Sequence, residues 1–308
     1  MTVAEQSIAN DLRAVVSAET RILLDEPLSK KTTLRVGGPA DVFVEPASEN
    51  DLAEVLKICS RDSIPTFILG RGSNLLIRDA GIRGVVVGMG HACFSYVEVD
   101  GLQIKCGAGA RLKQVSVEAR RNHVGGLEFL EGIPGSVGGA LRMNAGAMGM
   151  ATFEVVNSIR IMDHEGKIQT LMREEVEVHY RCCELLKHHL AISAIFHGKS
   201  MDRSEIEKKA SAYNDKRWSS QPAAPSAGCI FKNPAEVPAG KLIEELGLKG
   251  RKIGGASISN VHGNFIINEG QAKAADVLQL IELIKQEAKI KRGLELQTEV
   301  EIVGEDPS

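Results

Sequence analysis

The chain has 308 residues, 43% of them hydrophobic, and a formal net charge of -3, which allows two or three domains with a substantial core and gives no overall basic field to gather nucleic acid. No apolar run approaches the roughly 20 residues of a membrane helix, and the N-terminal stretch, with acids among short apolar groups, lacks the continuous apolar core of a signal peptide. A cytoplasmic protein without nucleic-acid or membrane partners is expected. In chain order, Ser48 can cap a helix, with Asp51 three residues on and Leu52, Val55, Leu56 and Cys59 along one apolar face. "IPTFILG" reads as a buried strand running into a glycine turn, and "GVVVGM", "FSYVEVDG" and "QIKCGAG" as short strands between glycine turns. "ARLKQVSVEARRNH" resumes helical spacing through Leu112, Val115 and Ala119.

After a second glycine-rich block at 131–149, "VVNSIRIMDHEGKIQTL" predicts a hairpin turning at Glu165 and Gly166, and "LAISAIFHG" another strand. "DRSEIEKKASAYNDKRW" is polar and helical, which puts a boundary near residue 200. A helix over about 272–291 carries Val277, Ile281, Ile284 and Ala288 on one face, with Gly293 past its end. "LQTEVEIVG" predicts a final strand on which Glu299 and Glu301 share a face opposite Val300. Small helices among many short strands argue for α+β rather than regular alternation.

Cysteines stand at 59, 93, 106, 182, 183 and 229 without a C-x-x-C pair, so most read as small hydrophobes, and no metal site is expected. The His188–His189 pair fits no metal pattern either. Glycine, at 31 residues, is the informative excess because it clusters. "LGRGSNLLI" follows a strand but lacks the Lys-Ser/Thr ending of a nucleoside-triphosphate loop and the spacing of a dinucleotide fingerprint. Its successive N–H groups could form an anion nest, to which Ser73 and Asn74 add side-chain donors. "GIPGSVGGA" and "MNAGA" supply further N–H groups, enough for an extended diphosphate rather than one phosphate. In "PSAGCIFKNP", a small-residue turn delivers Cys229, which by residue type alone could be a nucleophile, a metal ligand or a buried filler.

"LSKKTTLRVGGPADVFVEP", "LGRGSNLLI", "GLEFLEGIPGSVGGALRMNAGA", "VHYRCCE", "PSAGCIFKNP", "GGASISNVHGNFIIN" and "LQTEVEIVGE" follow one another over residues 28–305. Together they closely resemble the UDP-N-acetylenolpyruvoylglucosamine reductase (MurB) family, enzymes of bacterial peptidoglycan synthesis. The resemblance implies a two-subdomain FAD-binding fold of the p-cresol methylhydroxylase (PCMH) and vanillyl-alcohol oxidase type, plus a C-terminal α+β substrate-binding domain. The expected division is 1–83 and 84–200 for the FAD subdomains, with a last strand at about 294–308 returning to the first, and 201–293 for substrate. It implies non-covalent FAD held by Gly70, Arg71, Gly72, Ser73, Asn74 and Leu75, and by Gly132, Ile133, Pro134, Gly135, Ser136, Gly138, Gly139, Asn144 and Gly146, with NADPH as co-substrate.

It further implies that Cys229, where many relatives carry serine, donates a proton to the enolpyruvyl substrate. Arg181 in "VHYRC" matches the arginine beside the substrate carboxylate, and Glu299 the glutamate that acts with it. Lys232, Asn233, Arg217 and Gln221 are candidate contacts to the UDP-sugar, and His262 a candidate ligand contact. The short span from "YRC" to "GCIFKNP" matches the subgroup without an inserted tyrosine loop. A monomer is expected. Two other readings are a flavin oxidase of the same fold, with FAD tethered covalently and oxygen reduced, and a non-catalytic nucleotide-binding regulator. The proton donor, arginine and glutamate together speak against the regulator, since binding alone needs no acid.

Overall fold

The computed structural model describes residues 2–307. Packing groups the chain into two compact units, Met1–Leu24, Val42–Arg71 and Gly84–Arg217 in the first, and Asp25–Asp41, Gly72–Arg83 and Trp218–Ser308 in the second.

The first unit holds a five-stranded antiparallel sheet, in the order Ile168–Met172, Val156–Met162, Leu190–His197, Gln103–Gly107, Val97–Asp100. The hairpin predicted at Glu165–Gly166 is there, with Met162 opposite Ile168 and Gly166 at φ 76°. Leu112, Val115 and Ala119 of helix Leu112–Arg121 are buried in one core with Ile104, Ile159, Ile161 and Phe196 of the sheet. Burying that apolar face is what makes a ten-residue helix stable here, since so short a helix is marginal alone. "FSYVEVDG" forms strand only from Val97: Ala92–Phe94 is a 3-10 turn whose Cys93 N–H donates to His91 Nδ1 at 3.3 Å. The reason is Phe94, fully buried, whose carbonyl accepts from Gly109 N–H at 2.7 Å and so ties the turn to the core.

Helix Glu49–Arg61 starts as its sequence predicts, with Ser48 Oγ accepting from Asp51 N–H at 3.0 Å. Its apolar face, with Leu52, Val55, Leu56 and Cys59, lies in a second core of this unit with Val42, Val44, Val85 and Val87. Asp51 itself is buried, and accepts from Ser17 N–H (3.0 Å), Ser17 Oγ–H (2.8 Å) and Thr20 Oγ–H (2.9 Å). Burial alone would raise this carboxyl; the donors of Ser17, Thr20 and Ser48 outweigh it and hold it below its ordinary value.

The second unit is an antiparallel sheet in the order Ser226–Cys229, Phe265–Asn268, Ala256–Ile258, Lys252–Ile253. Helix Ala274–Arg292 buries Val277, Ile281, Ile284 and Ala288 against it, and Gly293 ends the helix at φ 67°, a left-handed cap that glycine adopts without strain. The final strand is shorter than its alternation predicts. Only Glu301–Val303 is regular, paired in parallel with Leu75–Ile77, because the chain bends at Val300 and changes partners there.

Candidate active site

In the first unit the two glycine segments meet. A Cβ at Gly70 would lie 2.5 Å from Ser136 Oγ, so only glycine lets the turn come this close. Arg111 pairs with Ser136 across an isolated bridge, and the flanking N–H groups of Leu112, Val137 and Gly138 donate to Gly135, Ala110 and Ala108 carbonyls at 3.2, 2.9 and 2.7 Å. Pro134 is exposed and Ile133 half-buried beside them. Gly132 and Gly139 differ from Gly70: a Cβ there would meet only Ala147 Cβ at 3.9 Å or Ser136 Oγ at 3.6 Å, so bare backbone faces open ground. The protein packed around Arg71 and, next, the charge of Arg111 lower the Arg71 pKa from its ordinary value. Among the described residues neither arginine has a carboxylate partner.

Arg181 also belongs to this unit. It sits at the tip of a tight turn closed by His179 N–H to Cys182 O (2.8 Å) and Cys182 N–H to His179 O (3.2 Å), with φ 57°, and its guanidinium lies over the Tyr180 ring at 5.2 Å. The glycine block carries that turn. Asn144 Nδ2 donates to His179 O at 3.2 Å, its Oδ1 accepts from Phe153 N–H at 3.2 Å, and Cys183 N–H donates to Arg142 O at 3.0 Å. A Cβ on Gly146 would come within 3.5 Å of Arg181 Nη1. Asn144 and Gly146, expected from the sequence to contact the cofactor, also support the turn that carries Arg181. Arg217 is half-buried, which lowers its pKa, and its Nη1 donates to Glu131 O at 3.5 Å.

The second unit brings Cys229 and Glu299 together. A register shift between Ser226 and Cys229 puts Gly228 at φ 77°, a left-handed position suited to glycine. The next carbonyl, of Ile230, accepts from Glu299 N–H at 2.8 Å and Val300 N–H at 3.3 Å, and Lys232 N–H donates to Gln297 O at 2.9 Å. Val300 is buried while Cys229, Glu299 and Glu301 are half-buried. The Gly72–Leu75 part of the first glycine loop joins them: Asn74 Nδ2 donates to Glu299 O at 3.0 Å, and Asn74 O accepts from Glu301 N–H at 3.0 Å. A Cβ at Gly228 would lie 3.9 Å from Ser73 O. Gly72, at φ 58°, offers its carbonyl to Thr33 N–H at 3.2 Å, and Thr33 Oγ1 donates in turn to Ser226 O at 2.7 Å.

The remaining candidates divide by what their side chains already do. Asn233 Oδ1 accepts from Ala239 N–H at 3.0 Å and so fixes the start of helix Ala239–Glu245. Lys232 is exposed, and Gln221, just past helix Arg203–Ser220, is half-buried. His262 Nδ1 accepts from Asn264 N–H at 3.1 Å and its ring meets Phe265 edge-on at 5.0 Å; burial first, then the Lys249 charge, lowers its pKa. Sequence reasoning missed Asn264, buried, which exchanges side-chain bonds with Phe231 N–H (2.9 Å) and Phe231 O (2.8 Å) and accepts from Ile230 N–H at its own carbonyl. It holds the residues after Cys229; an asparagine directly before the apolar strand Phe265–Asn268 was the signal.

Burial raises the Cys59, Cys106 and Cys183 thiols, burial with Glu49 and Asp51 nearby pushes Cys93 up to about 11, and the Cys182 thiol is raised by its bond to Glu184. Among the described residues no cluster of three His, Cys, Asp or Glu side chains could hold a metal, and no helix is long and apolar enough to cross a membrane.

Comparison with known proteins points one way. Residues 40–172 match a model described as an FAD binding domain, and residues 221–303 the C-terminal domain of UDP-N-acetylenolpyruvoylglucosamine reductase. Proteins named UDP-N-acetylenolpyruvoylglucosamine reductase from Clostridium botulinum strain 657 and Bacillus velezensis strain FZB42 are 41% identical over 293 residues and 40% over 287, covering 94% and 92% of this chain and 95% and 94% of theirs. The crystal structure of the MurB reductase from Thermus caldophilus superposes with a TM-score of 0.80 at 35% identity, over 92% of this chain and 98% of that one. An α+β chain with an FAD-binding domain followed by this C-terminal domain, it belongs to the UDP-N-acetylenolpyruvoylglucosamine reductase family.

Proposed function

We propose that the enzyme reduces UDP-N-acetylglucosamine enolpyruvate to UDP-N-acetylmuramate for peptidoglycan synthesis, with FAD as non-covalent cofactor and NADPH as co-substrate. Its likeness to named reductases over nearly its full length supports the reaction. The residues present fit FAD: Gly132 and Gly139 carry no side chain that would fill the space before them, and Arg71 and Arg111 lie on the segments that meet at Ser136, which Gly139 also faces. Held there, FAD would supply hydride chemistry, relaying a hydride equivalent from NADPH to the terminal carbon of the enolpyruvyl double bond.

The protein's own share is to supply a proton and manage charge. Cys229 Sγ donates the proton to the carbon next to the carboxylate. A thiol, with a reference pKa of about 8.5, starts mostly protonated at neutral pH yet yields its proton far more readily than an alcohol. Arg181 holds the substrate carboxylate in its planar fork while charge develops there, and Glu299 is the second polar group at that charge. What carries the pairing of Cys229 with Glu299 is the Ile230 carbonyl, which bonds the two segments backbone to backbone. Lys232, Arg217 and Gln221 are assigned to the UDP-sugar. Asn233 Oδ1 is taken by Ala239, which leaves its amide NH2 for the sugar.

The test is anaerobic spectroscopy of the purified protein. A yellow flavin spectrum should bleach with NADPH and return on adding the enolpyruvyl substrate. Flavin that stays bleached until oxygen enters, or that acid cannot release, would instead favour a sugar or alcohol oxidase. We further assign the enzyme to the cytoplasm, where UDP-sugars and NADPH are made, as a monomer, which light scattering on a sizing column checks.

A further inference from the structure

The Gly70–Ser136 contact holds two arginines at one spot of the first unit, although they come from distant segments. Arg71 follows Gly70 directly, and Arg111 pairs with Ser136, the residue whose Oγ would crowd any side chain at 70. Two guanidiniums near one another repel: after burial, the Arg111 charge is the second cause that lowers the Arg71 pKa, while Arg111 itself is exposed to solvent. Among the described residues neither Arg71 nor Arg111 has a carboxylate partner. Arg160, by contrast, takes Glu49 in two bonds of 2.7 and 2.9 Å, and Arg120 takes Glu131 at 3.4 Å, while Arg173 and Arg217 bond to backbone carbonyls. The chain therefore sets two like charges on the segments that meet at Ser136, the residue Gly139 also faces, an arrangement that an arriving anion stabilises.

We propose that Arg111 acts with Arg71 as a cationic clamp for the diphosphate of FAD, adding charge recognition to a cradle otherwise made of backbone N–H groups. This rests on the flavin reading above. Arg111 opens helix Leu112–Arg121, whose buried Leu112 and Val115 fix its backbone. The clamp is therefore half rigid, with Arg111 anchored by the core and Arg71 borne on the turn.

The experiment compares retention of FAD by purified holoenzyme on dilution and dialysis, followed by flavin fluorescence and absorbance. Wild type, Arg111→Lys and Arg111→Leu should release FAD in increasing order, with Arg111→Leu about tenfold weaker at low salt. The gap should shrink at about 0.5 M salt, where exposed charges are screened. Arg71→Leu in the Arg111→Leu background should cost less than it does alone, since one anion then has no second cation to share. Retention of FAD by Arg111→Leu equal to wild type overturns the clamp. So does a salt-independent loss accompanied by a lower unfolding temperature, which marks a structural role. A raised KM for NADPH with unchanged FAD retention also overturns it, because the phosphates recognised would belong to the co-substrate. Wild-type protein that carries no flavin would sink the flavin reading itself, a result distinct from all of these.

Discussion

Glycine serves opposite purposes in two regions, the 132–139 stretch of the first unit and the turns at Gly255 and Gly263 of the second. In the first, Gly132 and Gly139 face open ground, so the absent side chain leaves room for something outside the protein. In the second, a Cβ at Gly255 would lie 2.4 Å from Ala272 N, and one at Gly263 2.5 Å from Gly240 O, so the absent side chain lets backbone pack on backbone. A glycine-rich composition alone does not separate these cases. The lesson is local: a glycine crowded by another chain segment marks packing, while one with room before it leaves space for a ligand or, as at Gly293, supplies a left-handed turn.

The sharpest blow to this contrast falls on the chemistry held by the tightly packed unit. Cys229→Ala should still be reduced rapidly by NADPH but should lose turnover of the enolpyruvyl substrate by about a thousandfold, the scale of a general acid; near-normal turnover removes Cys229 from the mechanism. Gly255→Ala should destabilise the protein by about 3 kcal/mol, because its neighbours are backbone and cannot rotate away; a urea titration matching wild type would break the packing half of the comparison.

Asp51→Ala should cost about 2 kcal/mol by stranding the donors of Ser17 and Thr20. Its pH signature has a definite sign. The folded carboxyl lies below its ordinary value, so its contribution is fully present above about pH 4 and is lost as pH falls through the folded value. Acid melting curves should show that loss in wild type and not in Asp51→Ala. Gly132→Ala tests the open half: unchanged stability, with FAD held about tenfold less tightly because the methyl group enters the ligand's ground. Unchanged FAD binding would show that the open backbone is idle. The mildest change is Cys229→Ser, expected to keep turnover within about tenfold while becoming insensitive to thiol-alkylating reagents.

Much of the fold was legible because local rules decided it. Ser48 caps its helix, Gly166 turns its hairpin, and Gly293 ends its helix as spacing predicts. What escaped was decided by distant partners. Alternation could not choose between Glu299 and Glu301, since the bend at Val300 and the Ile230 carbonyl, some seventy residues earlier in sequence, set which backbone each one meets. Asn233 and Asn144, expected to contact ligands, also have structural partners that sequence did not show, Ala239 for the one and His179 with Phe153 for the other. Polar residues in glycine-rich segments have many uses, and only tertiary structure assigns them. Arg71 was in reach of sequence because it sits inside a glycine motif; Arg111 was not, because nothing beside it marks the place where two loops meet.

Asn74 clasps the chain on either side of the Val300 bend, receiving an N–H from Glu301 and giving one to the carbonyl of Glu299. Replacing that amide by the isosteric acid of Asn74→Asp would set oxygen against oxygen and turn a latch into a wedge. A change too small to alter shape or volume would thereby unfasten an acid 225 positions away in sequence.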